Sequence, residues 1–153
     1  MQQTNDYPQI KCLTLHQPYA SLIAVGAKGF ETRSWSTNYR GVLAIHAGLS
    51  IDHDAGNDPT ILGILDGQIP SGCIVAVGLL IAVHSTNQDE GAAFWRKVLA
   101  EREFGDYSPD RYAWELADMV SLKEPIPCRG MQGLWTPSSE VVQEIKSQVT
   151  FNV

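Results

Sequence analysis

The run CIVAVGLLIAVH, residues 73–84, constrains the fold more than any other stretch of the chain. It is rich in β-branched residues and almost wholly apolar, which is how a strand buried on both faces reads. It is too short to cross a bilayer as a helix, which takes ~20 residues. Gly78 in its middle predicts a bulge or bend that lets one long strand curl. Other strands are expected at 10–15, where apolar and polar residues alternate, at 30–35, at 41–47 and at 111–122. His16-Gln17-Pro18 breaks the first of these, and Pro18 suits the first turn of a helix carrying Tyr19, Leu22, Ile23 and Ala24, with Gly26 as its stop.

Residues 54–59 read as loop and 60–65 as a short helix. A further helix runs through Phe94, Trp95, Val98 and Leu99, with Asn87 and Asp89 as capping candidates. The prolines in 124–130 predict a stiff extended connection. A last helix starts near Pro137, capped by Ser138 or Ser139. Strands are not regularly followed by helices. The pattern therefore favours an α+β fold, a small mixed β-barrel with short flanking helices, over a doubly wound sheet.

At 153 residues the chain is expected to form a single domain over 10–153, with a flexible polar N-terminus at 1–9. Its three cysteines, Cys12, Cys73 and Cys128, have no CxxC spacing, which points away from a disulfide framework and towards a reducing compartment. No signal peptide is evident, so a cytoplasmic protein without a membrane segment is expected. Phosphate-loop, dinucleotide and nucleophile-elbow motifs are missing, and His46, His53, Asp52 and Asp54 fit no closed zinc spacing. Neither cofactor nor metal is therefore expected. Net charge is −6, which disfavours nonspecific duplex binding.

The distribution of charge is more informative than its sum. Charged residues are only 18% of the chain, yet Lys28, Glu31 and Arg33 stand among Ile23, Val25, Phe30 and Trp35. Charges in apolar surroundings are costly unless paired or used. Strand alternation puts Glu31, Arg33 and Trp35 on one face. A Lys and an Arg beside a carboxylate hold it ionised and aimed, ready to accept from the exocyclic amine of a base, or to act as general base with Lys28 as acid. The competing interpretation is a structural salt bridge. Arg40 adds a cation to the same segment. Gln17, Pro18 and Tyr19 could lend an amide and a ring, and Trp35 could floor a pocket, although buried aromatics more often belong to the core. His46 ends a strand and is a candidate base or a satisfied core residue.

Together these residues resemble a known family. Leu15-His16-Gln17-Pro18-Tyr19-Ala20-Ser21-Leu22-Ile23, Gly26-Ala27-Lys28, Glu31-Thr32-Arg33-Ser34-Trp35, Tyr39-Arg40-Gly41 and Ile45-His46-Ala47 are similar to the ASCH domain, the activating-signal-cointegrator homology family. Trp114-Glu115-Leu116, Pro125-Ile126-Pro127, Gly130 and Gly133-Leu134-Trp135 resemble its closing strands. The resemblance implies a PUA-like barrel and a cleft lined by 28–33. It also implies a role in binding RNA, or a nucleoside or nucleotide, with Gln17, Pro18, Tyr19, Lys28, Glu31, Arg33, Trp35, Arg40 and His46 as ligand-binding candidates. Some relatives are amidohydrolases of acylated modified cytidine that use a Thr three residues after the Lys. Here that position is Glu31, which leaves Lys28 and Glu31 as the acid and base candidates of a hydrolytic alternative. A third alternative is a protein-interaction scaffold, with the acidic stretch 89–110 as the recruiting surface.

Overall fold

The computed structural model describes residues 8–87 and 90–151. The strands are β1 (Ile10–Gln17), β2 (Phe30–Arg33), β3 (Gly41–Ile51), β4 (Cys73–Ser85), β5 (Tyr112–Pro127) and β6 (Leu134–Trp135). The helices are α1 (Tyr19–Ala24), α2 (His53–Gly56), α3 (Pro59–Ile64), α4 (Ala92–Leu99) and α5 (Ser139–Gln148), with a single 3-10 turn at Arg102–Phe104. The six strands form one sheet in the order β2-β5-β4-β3-β1-β6. Only β1 and β3 run parallel; every other pairing is antiparallel. The expected α+β, PUA-like architecture is present. It takes the form of a curled sheet whose edge strands, β2 and β6, do not pair with each other.

Curling comes from β4 and β5. Their register slips three times, between Ile74 and Ala76, Val77 and Leu79, and Leu80 and Ala82. Each slip bends and twists the pair locally. Gly78 is needed where the strands approach: a Cβ there would lie 2.7 Å from Met119 Sδ and 2.8 Å from the Ala117 carbonyl oxygen. Opposite it, Asp118 adopts the left-handed conformation, φ +53°.

Burial follows the two-residue period of strands. Leu13, Leu15, Leu43, Ile45 and Trp114 share one core with Ala20 and Ile23 of α1. Ile10, Cys12, Val42, Ala44 and Ile74 share the other with Trp135 of β6 and Ile145 of α5. Helix α5 caps its first turn with Ser138, whose hydroxyl accepts from the Val141 N–H.

Three local expectations are corrected. Residues 54–59 are not loop throughout: α2 and α3 each start at an aspartate, Asp52 and Asp58, whose carboxylates accept from two N–H groups apiece. The segment 124–127 continues β5 instead of linking elements, and its prolines fall near an end of the strand, where Ile74 faces Ile126 and Cys73 faces Pro127. β6 carries no periodic signal in its two residues, and it stands where the family resemblance implies a closing strand. Gly91 stands at the N-cap of α4, while Asn87 instead exchanges hydrogen bonds with Asp110; Asp89 lies outside the described residues. So do residues 1–7, the greater part of the expected flexible terminus. No helix among the described residues is long and apolar enough to cross a membrane.

Candidate functional site

Strand β2, at the edge of the sheet, carries Glu31 and Arg33, and Lys28 stands in the segment just before it. Its antiparallel register sets Glu31 opposite Trp114 and Arg33 opposite Tyr112. Glu31 is the centre of the trio. Its Oε1 accepts from the Thr32 N–H at 3.1 Å and lies 3.7 Å from Lys28 Nζ, while its Oε2 accepts from Arg33 Nη2 at 3.1 Å. Arg33 Nη2 also donates to the Thr14 carbonyl at 2.8 Å, which ties β2 to β1 across the molecule.

Exposure separates the three charges. The Lys28 side chain is 1% exposed, that of Glu31 10% and that of Arg33 25%. Lys28 lies behind Glu31. Its ammonium donates to the Phe104 carbonyl at 2.7 Å and stands 5.9 Å from the centre of the Tyr19 ring. Burial pushes the Lys28 ammonium below its ordinary value, against the pull of the Glu31 and Glu101 carboxylates. Glu101 closes the back of this arrangement by accepting from the Gly29 and Phe30 N–H groups at 2.8 to 2.9 Å.

In front of Glu31 and Arg33 is a cleft of about 390 Å³, walled by Thr14, His16, Tyr19, Trp35 and Arg111 among others. Trp35 packs edge-on against the buried Trp114 ring at 4.8 Å, and the Trp114 N–H donates to the Trp35 carbonyl. Tyr19 donates to Asp52 Oδ2 at 2.6 Å; burial, together with that carboxylate, pushes its hydroxyl up to about 12. Arg33 Nε is buried without a hydrogen-bond partner, and so is the Tyr107 hydroxyl. An unmet buried donor is costly.

Five expected ligand residues are thus placed apart from the cleft or engaged elsewhere. Lys28 is buried and does not line it. Gln17 is fully buried; its amide nitrogen donates to Ser21 Oγ and to the Pro70 carbonyl, and its amide oxygen accepts from the Ser21 N–H. Pro18 stands at the N-cap of α1. Arg40 donates to the Thr37 and Tyr39 carbonyls and borders a different, largely apolar hollow of about 650 Å³. His46 is buried on the other face of the sheet, with Nδ1 3.2 Å from Thr14 Oγ1 and Nε2 2.8 Å from the Cys128 carbonyl oxygen. Asp52 caps α2, and no group of His, Cys, Asp or Glu side chains among the described residues is arranged to hold a metal ion.

Tyr19, Glu31, Arg33 and Trp35 are brought together. Arg111, His16 and Glu101 join them without having been singled out from the sequence. Arg111 lies beside β2 because Nη2 donates to the Thr32 carbonyl at 3.3 Å, Nε to the Asp106 carbonyl at 3.0 Å, and the Asp106 carboxylate is 3.5 Å away. Thr32 turns from the Glu31 carboxylate: its hydroxyl accepts from the Asp106 N–H at 3.0 Å.

Comparison with known proteins gives a consistent picture. The model of the ASCH domain family matches residues 13–126. Activating signal cointegrator 1 of Mus musculus and that of Homo sapiens are each 56% identical to this chain over 36 residues, a segment covering 24% of the chain and 6% of those proteins. Among solved structures, the ASCH protein of Zymomonas mobilis superposes with a TM-score of 0.55 at 17% identity, covering 91% of this chain and 94% of the other. A point variant of that protein gives a TM-score of 0.58 at 17% identity, covering 92% and 98%. At that identity the likeness concerns the fold alone.

Proposed function

The chain belongs to the ASCH domain family, and from that premise we propose that it binds nucleic acid, single-stranded RNA in the first place, or a nucleotide, in the cleft beside β2. The observation that carries this reading is the Glu31–Arg33 pair. The pair is fixed from behind by Lys28 and the Thr32 N–H, and it opens into a hollow with a second cation, Arg111, and two rings. A carboxylate fixed in position accepts from a base edge, and a ring such as Trp35 gives a base a face to stack on. Arg111 and the outer nitrogens of Arg33 meet phosphate or sugar. The cations are local, so an acidic body of net charge −6 still presents a positive wall to one strand.

Lys28 has a different role from the one its charge suggests in the sequence. It sets the position of Glu31 and does not touch the ligand. That weakens the hydrolytic alternative, in which Lys28 would donate a proton directly. It leaves Glu31 as the base candidate for activating water on an acylated cytidine.

The test is fluorescence anisotropy with labelled single-stranded RNA of each base, alongside calorimetry with nucleoside monophosphates. Arg111→Ala and Trp35→Ala should each weaken binding roughly tenfold, the effect of one charge-assisted contact or one stacked base. The parent's affinity should also fall as salt rises. Undiminished binding by both variants would overturn the proposal. Turnover of acylated cytidine that survives Thr32→Ala and vanishes in Glu31→Gln would move the reading to hydrolysis.

A further inference from the structure

A second cluster of titratable groups lies away from the cleft, at the far end of β4. His84 is half-buried there and meets a carboxylate at each ring nitrogen: Nδ1 is 3.0 Å from Glu90 Oε2, and Nε2 is 2.8 Å from Glu115 Oε1. The two nitrogens of an imidazole point apart, so Glu90 and Glu115 flank the ring and cannot converge on one ion. A carboxylate only accepts, and a neutral imidazole has only one N–H to give. Both contacts are hydrogen bonds only when the ring carries two protons. With one proton, a ring lone pair faces a carboxylate oxygen.

The elements joined here are distinct. Glu90 stands next to Gly91, the N-cap of α4, and Glu115 is on β5. From α4, Lys97 approaches Glu115 Oε2 at 3.7 Å, and Phe94 lies against the His84 ring at 4.4 Å. From β2, Phe30 meets the same ring edge-on at 6.3 Å and contributes no charge. Tyr107 packs on this aromatic cluster, and burial holds its hydroxyl protonated. Just past α4 is Glu101, whose carboxylate receives the Gly29 and Phe30 N–H groups at the start of β2.

We infer that His84 is a proton-dependent clasp that fastens α4 to β5 and, through Glu101, seats the first residues of β2. When the ring is neutral, one jaw of the clasp becomes repulsive and α4 opens more often. The inference stands on these contacts and does not depend on what the cleft binds.

Hydrogen exchange read by mass spectrometry tests it, with each rate corrected for the intrinsic dependence of exchange on pH. Two conditions, about pH 5.5 and about pH 8.5, bracket the range in which imidazoles ordinarily titrate. In the parent, the peptide covering 92–101 and the amides of Gly29 and Phe30 should lose roughly tenfold protection at the higher pH, the factor for one charge-assisted hydrogen bond. In His84→Gln that difference should vanish. Glu90→Gln supplies an amide donor to the neutral ring, and it should also abolish the loss, by retaining protection on the alkaline side. Equal protection of the parent at both pH values overturns the clasp. So does an undiminished pH response in Glu90→Gln, a surface-side change that serves even where His84→Gln fails to fold.

Discussion

Two polar networks meet at Thr14 and differ in one respect that separates a site from a scaffold. On one face of the sheet, the Thr14 carbonyl accepts from Arg33, which pairs with Glu31 in front of Lys28. On the other, the Thr14 hydroxyl lies between His46 Nδ1 and the Trp135 N–H. The second network is closed. The Cys128 carbonyl needs a donor, so His46 Nε2 carries the proton and Nδ1 accepts. The Thr14 hydroxyl then donates to Nδ1 and accepts from Trp135, so each of these groups has a partner. Gly130 shuts it from outside: a Cβ there would lie 2.7 Å from His46 Nδ1 and from Thr14 Oγ1. The first network is unfinished. Arg33 Nε is buried without a hydrogen-bond partner, and Glu31 and Arg33 both line the cleft. Buried polar groups rigidify a fold when all are satisfied, and a partly satisfied network holds its members less firmly.

The largest expected effect comes from breaking the unfinished network at its centre. Glu31→Ala leaves Lys28 buried with a cation's charge and only the Phe104 carbonyl as acceptor. Removing one partner of a buried pair costs about 3–5 kcal/mol. Urea unfolding should show a loss of that order, and a loss well under 1 kcal/mol would mean that Lys28 is neutral or readily relocated. The closed network breaks differently. Gly130→Ala forces a methyl into His46 and Thr14 and should cost about 1–3 kcal/mol through overpacking. RNA affinity should be unchanged, because the cleft lies on the other face. A parallel fall in affinity would show that the two networks are coupled through Thr14.

The asymmetry also explains how much could be seen in the sequence. The strands of the core were legible because period-two burial and apolar runs are local, as in β1, β3 and β4. The Glu31–Arg33 pair was legible for the same reason: two residues apart on one strand share a face. What local pattern does not encode is which strand lies beside which. Arg111 reaches the cleft because β2 pairs with β5, which sets it beside Thr32, 79 positions away in the chain, and Glu101 reaches β2 through a turn after α4. The burial of Lys28 depends on the Phe104 carbonyl, 76 positions on. Gln17 and His46 carry polar groups that look available as letters and are consumed by backbone partners in space. Arg40 shares a short segment with Arg33, yet it points to another hollow once β3 begins.

A gentler change tests whether the fork of Arg33, and not its charge alone, completes the open network. One Nη2 nitrogen serves both Thr14 and Glu31 and leaves the rest of the guanidinium free. Lysine keeps the charge but is a point donor without a planar fork. Arg33→Lys should cost about 1 kcal/mol of stability and weaken RNA binding roughly tenfold. Full affinity with lysine would reduce the contribution of Arg33 to bulk electrostatics.

The smallest effect distinguishes the two networks by pH. Tyr19 borders the open cleft and donates to Asp52, and burial with that carboxylate raises its hydroxyl from 10.0 to about 12. As pH rises above 10.0, the unfolded chain releases this proton while the folded chain keeps it. The folded state then binds more protons, and stability falls with pH until about 12, where both states have lost it. Lys28 works in the opposite sense. Its folded value lies below the ordinary 10.5, so the unfolded state holds the extra proton and stability rises towards 10.5. Burial likewise raises the Cys12 thiol from 9.0 to about 12, which adds to the alkaline loss. Lys28 and Cys12 are present in the parent and in Tyr19→Phe alike, and their contributions cancel in the comparison. Urea midpoints of the two proteins should therefore lie close at about pH 8, where the lost hydrogen bond is partly replaced by water, and should converge or cross near pH 11 as the parent alone incurs the tyrosine's loss. A constant gap across that range would show that the Tyr19 hydroxyl titrates alike in both states, and that the cleft wall at this point is as wet as the solvent.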